Sequence, residues 1–286
     1  MVGPHIPDHQ CDRAARPYII WTVQRTGGTN LAKRLDGLWV SQSTLHEPFM
    51  PTRVFGGISK AWSASENRAE LYRAVRTVIS RNPIIKHCVD TVPRTVPWEV
   101  TKALASASVE AGYRHLFLYR RSAFDRLLSL FFAGATGVWM ADQIPVAEAV
   151  ARFDALTGSA EPKAPGSVGG GLELPVDALV QHEQSCIARL QTLWNHLVSH
   201  GADVLSVAYE DIYASPDATF AETSVGTVRR FLGIELSEAE ARAWSERLLD
   251  EGDQGTRDLY SRIPGYNDLA SRCYSLPRLQ LVCGRA

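Results

Sequence analysis

Pro17-Tyr-Ile-Ile-Trp-Thr-Val-Gln-Arg-Thr-Gly-Gly-Thr-Asn-Leu-Ala-Lys-Arg-Leu-Asp36 is the stretch whose reading decides the fold. Tyr18 to Val23 is short, β-branched and aromatic, and carries no charge, which predicts a buried parallel strand. Gln24 to Asn30 is polar and contains the paired Gly27 and Gly28. Leu31, Leu35 and Leu38 then fall at i, i+4 and i+7, the spacing of one helix face. A strand, a glycine turn and a helix start together offer free backbone N–H groups to an anion, with the helix dipole behind them. Arg25 adds a fixed charge, and Thr26 and Thr29 add hydroxyls. The stretch is expected to bind a phosphate or sulfate; a plain strand-to-helix turn is the weaker alternative.

The ordinary nucleoside-triphosphate loop ends in Gly-Lys-Ser/Thr, whose Lys reaches the terminal phosphates and whose hydroxyl holds magnesium. Here Gly28 is followed by Thr29 and Asn30, and the cation, Arg25, precedes the glycines. Such a loop suits a phosphate that needs no tightly held metal, and no metal site is expected.

Working outward, the 286 residues are 45% hydrophobic, enough to bury a sizeable core. A net charge of -1 argues against a nucleic-acid or membrane surface as the main partner. Cys11, Cys88, Cys186, Cys273 and Cys283 are widely spaced, with no C-x-x-C pair. Neither a disulfide framework nor a zinc site is indicated, and a reducing, cytoplasmic setting is expected. Residues 1–16 are expected to be a loose arm and 17–286 a single α/β domain. No signal peptide or bilayer-spanning run is evident.

Further strands are expected at Pro83–Cys88, His115–Tyr119 and Asp203–Tyr209. Helices are expected over Asn67–Ser80, Thr95–Ala111, Ala123–Ala133 and Val176–His200, with another that includes Val228–Leu232. Ser237 and Glu240 have the form of a capping box opening a later helix. Ser159–Gly171 reads equally as a lid or a linker, and Gly255–Ala286 as irregular. Alternating strands and helices indicate a doubly wound parallel sheet, whose ligands bind beyond the carboxyl ends of the strands. Arg25, Lys86, His87, Arg121, Glu210 and Asp211 all fall at such ends. Two arginine-bearing strand ends suggest a ligand with two separate anionic groups. Arg121, Asp125 and Ser129 lie at successive turns, so that Arg121 and Ser129 could share an anion while Asp125 orients a neighbour.

Gln24-Arg25-Thr26-Gly27-Gly28-Thr29-Asn30 resembles the 5′-phosphosulfate loop of the sulfotransferases that use 3′-phosphoadenosine 5′-phosphosulfate (PAPS). Arg121-Ser122-Ala123-Phe124-Asp125-Arg126-Leu127-Leu128-Ser129 resembles the 3′-phosphate motif of that family, with Arg121 and Ser129 at its spacing. Val207–Ile212 and Val228–Gly233 are similar to its later strand and helix. The resemblance implies a P-loop-like three-layer αβα fold. It also implies transfer of a sulfuryl group from PAPS to a hydroxyl or amine of a small-molecule or carbohydrate acceptor, leaving adenosine 3′,5′-bisphosphate. The family's C-terminal Arg-Lys-Gly segment is absent; Gly255-Thr256-Arg257 is a candidate for its place.

Arg25 and the N–H groups of Thr26 to Asn30 would then stabilise charge on the departing phosphate. Three residues compete as the base that takes the acceptor's proton. Glu47, in His46-Glu47-Pro48-Phe49, comes first because it resembles the Glu-Pro segment of carbohydrate-type members. His87, at a strand end, is second and His46 third. A P-loop-type kinase or NTPase, or a non-catalytic nucleotide-binding module, is the alternative.

Overall fold

The computed structural model describes residues 16–36, 38, 44–90, 96–139, 144–157, 173–214, 218–250 and 257–281. The chain runs β1 (Tyr18–Thr22), α1 (Gly28–Asp36), β2 (Leu45–His46), α2 (Gly56–Ser65), α3 (Arg68–Ile79), β3 (Ile85–Cys88) and α4 (Trp98–Glu110). It continues through β4 (Arg114–Tyr119), α5 (Ala123–Thr136), α6 (Val146–Thr157), α7 (Val176–Ser199), β5 (Asp203–Ala208) and α8 (Tyr209–Tyr213). It ends with α9 (Ala218–Leu232), α10 (Glu238–Asp250), α11 (Arg257–Tyr260) and α12 (Tyr266–Tyr274).

Among the described residues the strands form one parallel sheet in the order β2-β3-β1-β4-β5. β1 is central and buried along its whole length, which is why its sequence is apolar on both faces. On one face Ile19, Trp21 and Phe117 pack against α3, α4 and α7 through Val75, Leu104 and Trp194. On the other, Ile20, Leu116 and Leu118 meet Leu31 and Leu35 of α1, Val228 of α9 and Trp244 of α10. This is the expected α/β fold with a central parallel sheet. A third cluster, including Leu128, Phe132, Phe153, Leu179 and Leu269, joins α5, α6, α7 and α12. The crossing from β3 to β4 passes β1, so the switch point that opens a crevice in such sheets lies at the carboxyl end of β1.

Local chemistry sets the helix starts. The Asn67 side chain accepts from the Glu70 N–H, and the Ser122 hydroxyl from the Asp125 N–H. The Ser237–Glu240 box forms: the Ser237 N–H donates to the Glu240 carboxylate at 2.8 Å. The segment from Gly255 is not irregular throughout; it carries α11 and α12. Tyr260, Ile263 and Leu269 bury against α5 and α7, a long-range packing that local pattern does not reveal. α2 and α6 were likewise not expected. Residues 1–15 of the arm and the Ser159–Gly171 segment lie outside the described residues.

Two imidazoles lie within the sheet's core. His115 accepts from the Trp21 indole N–H at 3.1 Å, and His87 shares a 3.0 Å hydrogen bond with Thr101. Burial pushes His87 down to about 4 and His115 to about 3, from an ordinary 6.5. Below pH ~6.5 the unfolded chain takes up protons that the folded chain refuses until about pH 4, so stability falls as pH drops through that window. Each group contributes up to ~1.4 kcal/mol per pH unit. Urea unfolding at pH 5 is expected to give roughly 2–4 kcal/mol less stability than at pH 7. A flat profile would show that these rings are not held neutral.

Candidate functional site

The site is built at the end of β1. Both backbone polar groups of Gln24 are held: its N–H donates to Asp90 at 2.8 Å, and its carbonyl accepts from Arg126 at 3.1 Å. Arg25 follows with φ 67°, a left-handed conformation rare for a residue with a side chain. Gly27 has φ 78°, and a Cβ there would stand 2.6 Å from the Tyr213 ring. Both the backbone angle and the space demand glycine. The Leu31 N–H closes onto the Gly27 carbonyl and starts α1. Among the described residues no acceptor faces the N–H groups of Gly27, Gly28, Thr29 and Asn30, the arrangement that binds anions at a helix start.

The hydroxyl expected from Thr26 is not free for a ligand. Thr26 is buried, and its hydroxyl donates to the Val23 carbonyl at 2.7 Å and contacts Thr22. Asn30 likewise turns inward and donates to the Leu248 carbonyl at 3.2 Å, tying α1 to α10. Thr29 remains half-buried at the start of α1.

Cations converge on this loop. The Arg25 Nε donates to the Ser129 hydroxyl at 2.9 Å, and its Nη1 to the Trp139 carbonyl. Burial lowers the Arg25 pKa, with the charge of Arg120 pulling the same way. Arg120 was not foreseen as a site residue. Its side chain is buried, lies 4.4 Å from the centre of the Tyr209 ring, and donates to the Arg25 carbonyl at 3.3 Å. Its Nε has no hydrogen-bond partner among the described residues.

Lys86, expected at a strand end but given no role, is the second such member. It is 4% exposed, and its Cε would lie 3.3 Å from a Cβ at Gly28, so it runs directly beside the loop. Its ammonium pairs with Glu47 and donates to the Cys88 sulfur at 3.1 Å. The Cys88 thiol in turn donates to Glu47 at 3.2 Å. Burial would lower the Lys86 pKa, but Cys88 and Glu47 outweigh it and the group is held charged. Glu47 shows the converse. Burial would raise it, yet the charge and hydrogen bond of Lys86 hold it below its ordinary value. Glu47 also has a left-handed backbone, φ 49°, and its N–H donates to the Lys86 carbonyl at 2.7 Å. The sequence signal for Lys86 was a lone charge inside an apolar strand.

His87, the second candidate base, lies away from the loop. Strand alternation sends it to the face opposite Lys86, where it is fully buried between Trp21 and Phe49. A ring so enclosed has no access to an acceptor. His46 is partly buried at the end of β2, and burial together with Lys86 lowers its pKa.

The second motif also folds differently from its sequence pattern. Ser129 meets Arg25, while Arg121 turns to Asp211 at 2.6 Å with about half of its side chain exposed. The Arg121 and Ser122 N–H groups donate to Glu210. Asp125 approaches Arg120, at 4.0 Å, rather than Arg121.

Gly27→Ala is expected to cost roughly 1–3 kcal/mol in urea unfolding, because a strained angle and a rigid ring oppose the added methyl. Gly57→Ala is the control. It sits in α2 with nothing within 4 Å of its added Cβ and should be neutral or mildly stabilising. Equal effects at the two positions would contradict the loop geometry.

No family model matches the chain, and no curated protein matches it. Among solved structures it is similar to the crystal structure of mouse sulfotransferase SULT7A1 complexed with PAP, at 14% identity and a TM-score of 0.38. The match covers 82% of this chain and 65% of that one, so the chain spans less than two thirds of the neighbour's length. No helix among the described residues is long and apolar enough to cross a membrane.

Proposed function

We propose that the chain is a sulfotransferase that moves a sulfuryl group from PAPS to a hydroxyl or amine of a small-molecule or carbohydrate acceptor. The observation that carries this is the position of Lys86: a buried ammonium between the glycine loop and the carboxylate of Glu47, the residue we assign as the base. The N–H groups of Gly27 to Asn30, with Arg25 and Arg120, offer the loop's anion a preorganised positive site. Arg121 and Ser129 are assigned to the 3′-phosphate, and the donor's charge would draw Arg121 from Asp211 and Ser129 from Arg25.

In the transfer, the acceptor oxygen or nitrogen attacks sulfur, the bond between sulfur and the bridging phosphate oxygen breaks, and adenosine 3′,5′-bisphosphate leaves. The acceptor's proton goes to the Glu47 carboxylate. Paired with Lys86, Glu47 is a weak base. An anion bound beside Gly28 competes for the Lys86 ammonium, and that competition raises the basicity of Glu47 when donor is present.

Calorimetry with adenosine 3′,5′-bisphosphate in the presence of chelator is expected to show binding, with ATP weaker. Arg121→Ala should cost roughly 1.5–3 kcal/mol of that affinity, and nothing for a ligand lacking the 3′-phosphate. Binding that requires magnesium and prefers ATP would replace this function with a kinase or NTPase.

Glu47→Gln is expected to lower kcat by about 10²–10⁴-fold while nucleotide affinity stays near wild type. Lys86→Met should damage both, since Lys86 touches the loop and the base. If Glu47→Gln retains full turnover with a good acceptor, Glu47 is not the base.

A further inference from the structure

A second cluster stands behind Gln24. We propose that Asp90, His182 and Cys186 form a zinc site that fastens α7 to the base of the glycine loop. His182 and Cys186 are four residues apart on α7 and share one face, while Asp90 follows β3. Together they supply one carboxylate oxygen, one imidazole nitrogen and one thiol sulfur, the three donor types that zinc accepts. All three are buried, at 2%, 7% and 1% exposure respectively.

Their spacing points to a shared ion. His182 Nε2 lies 3.6 Å from Asp90 Oδ1, and the Cys186 sulfur lies 3.6 Å from that nitrogen and 3.9 Å from that oxygen. A nitrogen-to-oxygen distance of 3.6 Å is longer than the usual hydrogen-bond range of about 2.7–3.2 Å. Tetrahedral zinc with bonds of about 2.0–2.3 Å separates its ligands by roughly 3.3–3.6 Å. The observed triangle is a few tenths of an ångström wider than that and closes on an ion with small rotations.

The surroundings fit the charge. Asp90 Oδ2 is already taken by the Gln24 N–H, which leaves Oδ1 for a metal and orients the carboxylate as an outer-shell bond does. The neighbouring cation, Arg126, is 3.8 Å from Oδ1 but is neutralised by Glu183, to which it donates through Nε at 2.8 Å and through Nη2. Arg189 donates to the Asp90 backbone carbonyl, not to its carboxylate. Zinc, the Asp90 carboxylate and a Cys186 thiolate sum to zero charge, as does the Arg126–Glu183 pair. On binding, the Cys186 S–H bond breaks, its proton leaves to solvent, and bonds form from zinc to sulfur, nitrogen and oxygen. Water takes the fourth position.

The test uses the full chain, stripped with chelator and titrated with zinc against a chromophoric competitor. One equivalent is expected to bind and to raise the melting temperature. Cys186→Ser and His182→Gln should each weaken binding by more than the roughly 10–100-fold that loss of an outer-shell partner costs. Cys88→Ser should bind zinc as wild type does. Cobalt in place of zinc gives a fold-independent check on the wild-type chain: a thiolate-to-cobalt charge-transfer band that Cys186→Ser abolishes. No tight equivalent, no such band, or zinc bound equally well by Cys186→Ser would overturn the site.

Discussion

The grip on the Gln24 backbone is the interaction on which the rest of this structure depends. A buried central strand must stop abruptly for its chain to turn back as a helix with its N–H groups facing outward. Asp90 and Arg126 fix both backbone polar groups of Gln24. Both side chains are almost fully buried, and burying charge is costly unless every partner is satisfied. Arg126 divides its donors between Gln24 and Glu183, and Asp90 accepts from the Gln24 N–H with Arg126 3.8 Å away. Removing Arg126 would leave Glu183 buried without its cation, a far larger loss than one hydrogen bond.

The geometry downstream follows from that anchor. With Gln24 fixed, Arg25 takes its left-handed angle and sends its guanidinium across to Ser129 and Trp139. Gly27 passes against Tyr209 and Tyr213 where no side chain fits. Among the described residues four non-glycine positions adopt positive φ; Arg25 and Glu47 are two of them, and both carry charge at this site. Backbone strain of this kind persists only where the surroundings over-determine it. At Glu47 the constraint is the ladder bond to β3 and the pairing with Lys86.

A network of buried charges is also a device for holding chemistry ready. Lys86 stays charged inside the sheet because Glu47 faces it, and Glu47 stays ionised because Lys86 does. Neither state is stable without the other in a medium that solvates ions poorly. Among the described residues the loop beside them presents N–H groups with no acceptor, and under the proposed function an anion there would meet dipoles that need no reorganisation.

The sequence by itself determined the fold class and the place of the loop. The apolar run Tyr18–Val23, the paired glycines and the Leu31–Leu35 spacing are local patterns, and strand, turn and helix are governed by local period and backbone freedom. The capping box at Ser237 and the strands near residues 85, 115 and 205 were legible for the same reason. Side-chain partnerships were decided only by tertiary structure. His87 and Lys86 are neighbours in the chain, yet alternation across β3 buries one in the core and brings the other to the loop. Arg121 and Ser129 have a suggestive spacing, but Ser129 faces Arg25, which is 104 residues away. Asp90, His182 and Cys186 show no ligand spacing in the sequence, because Asp90 and Cys186 are separated by 96 residues and meet only when α7 packs on the sheet. α11 and α12 were equally hidden, since their burial depends on surfaces that α5 and α7 provide. Helix and strand repeat within a few residues, whereas a site gathers groups from distant segments, and only the packed sheet brings those segments together.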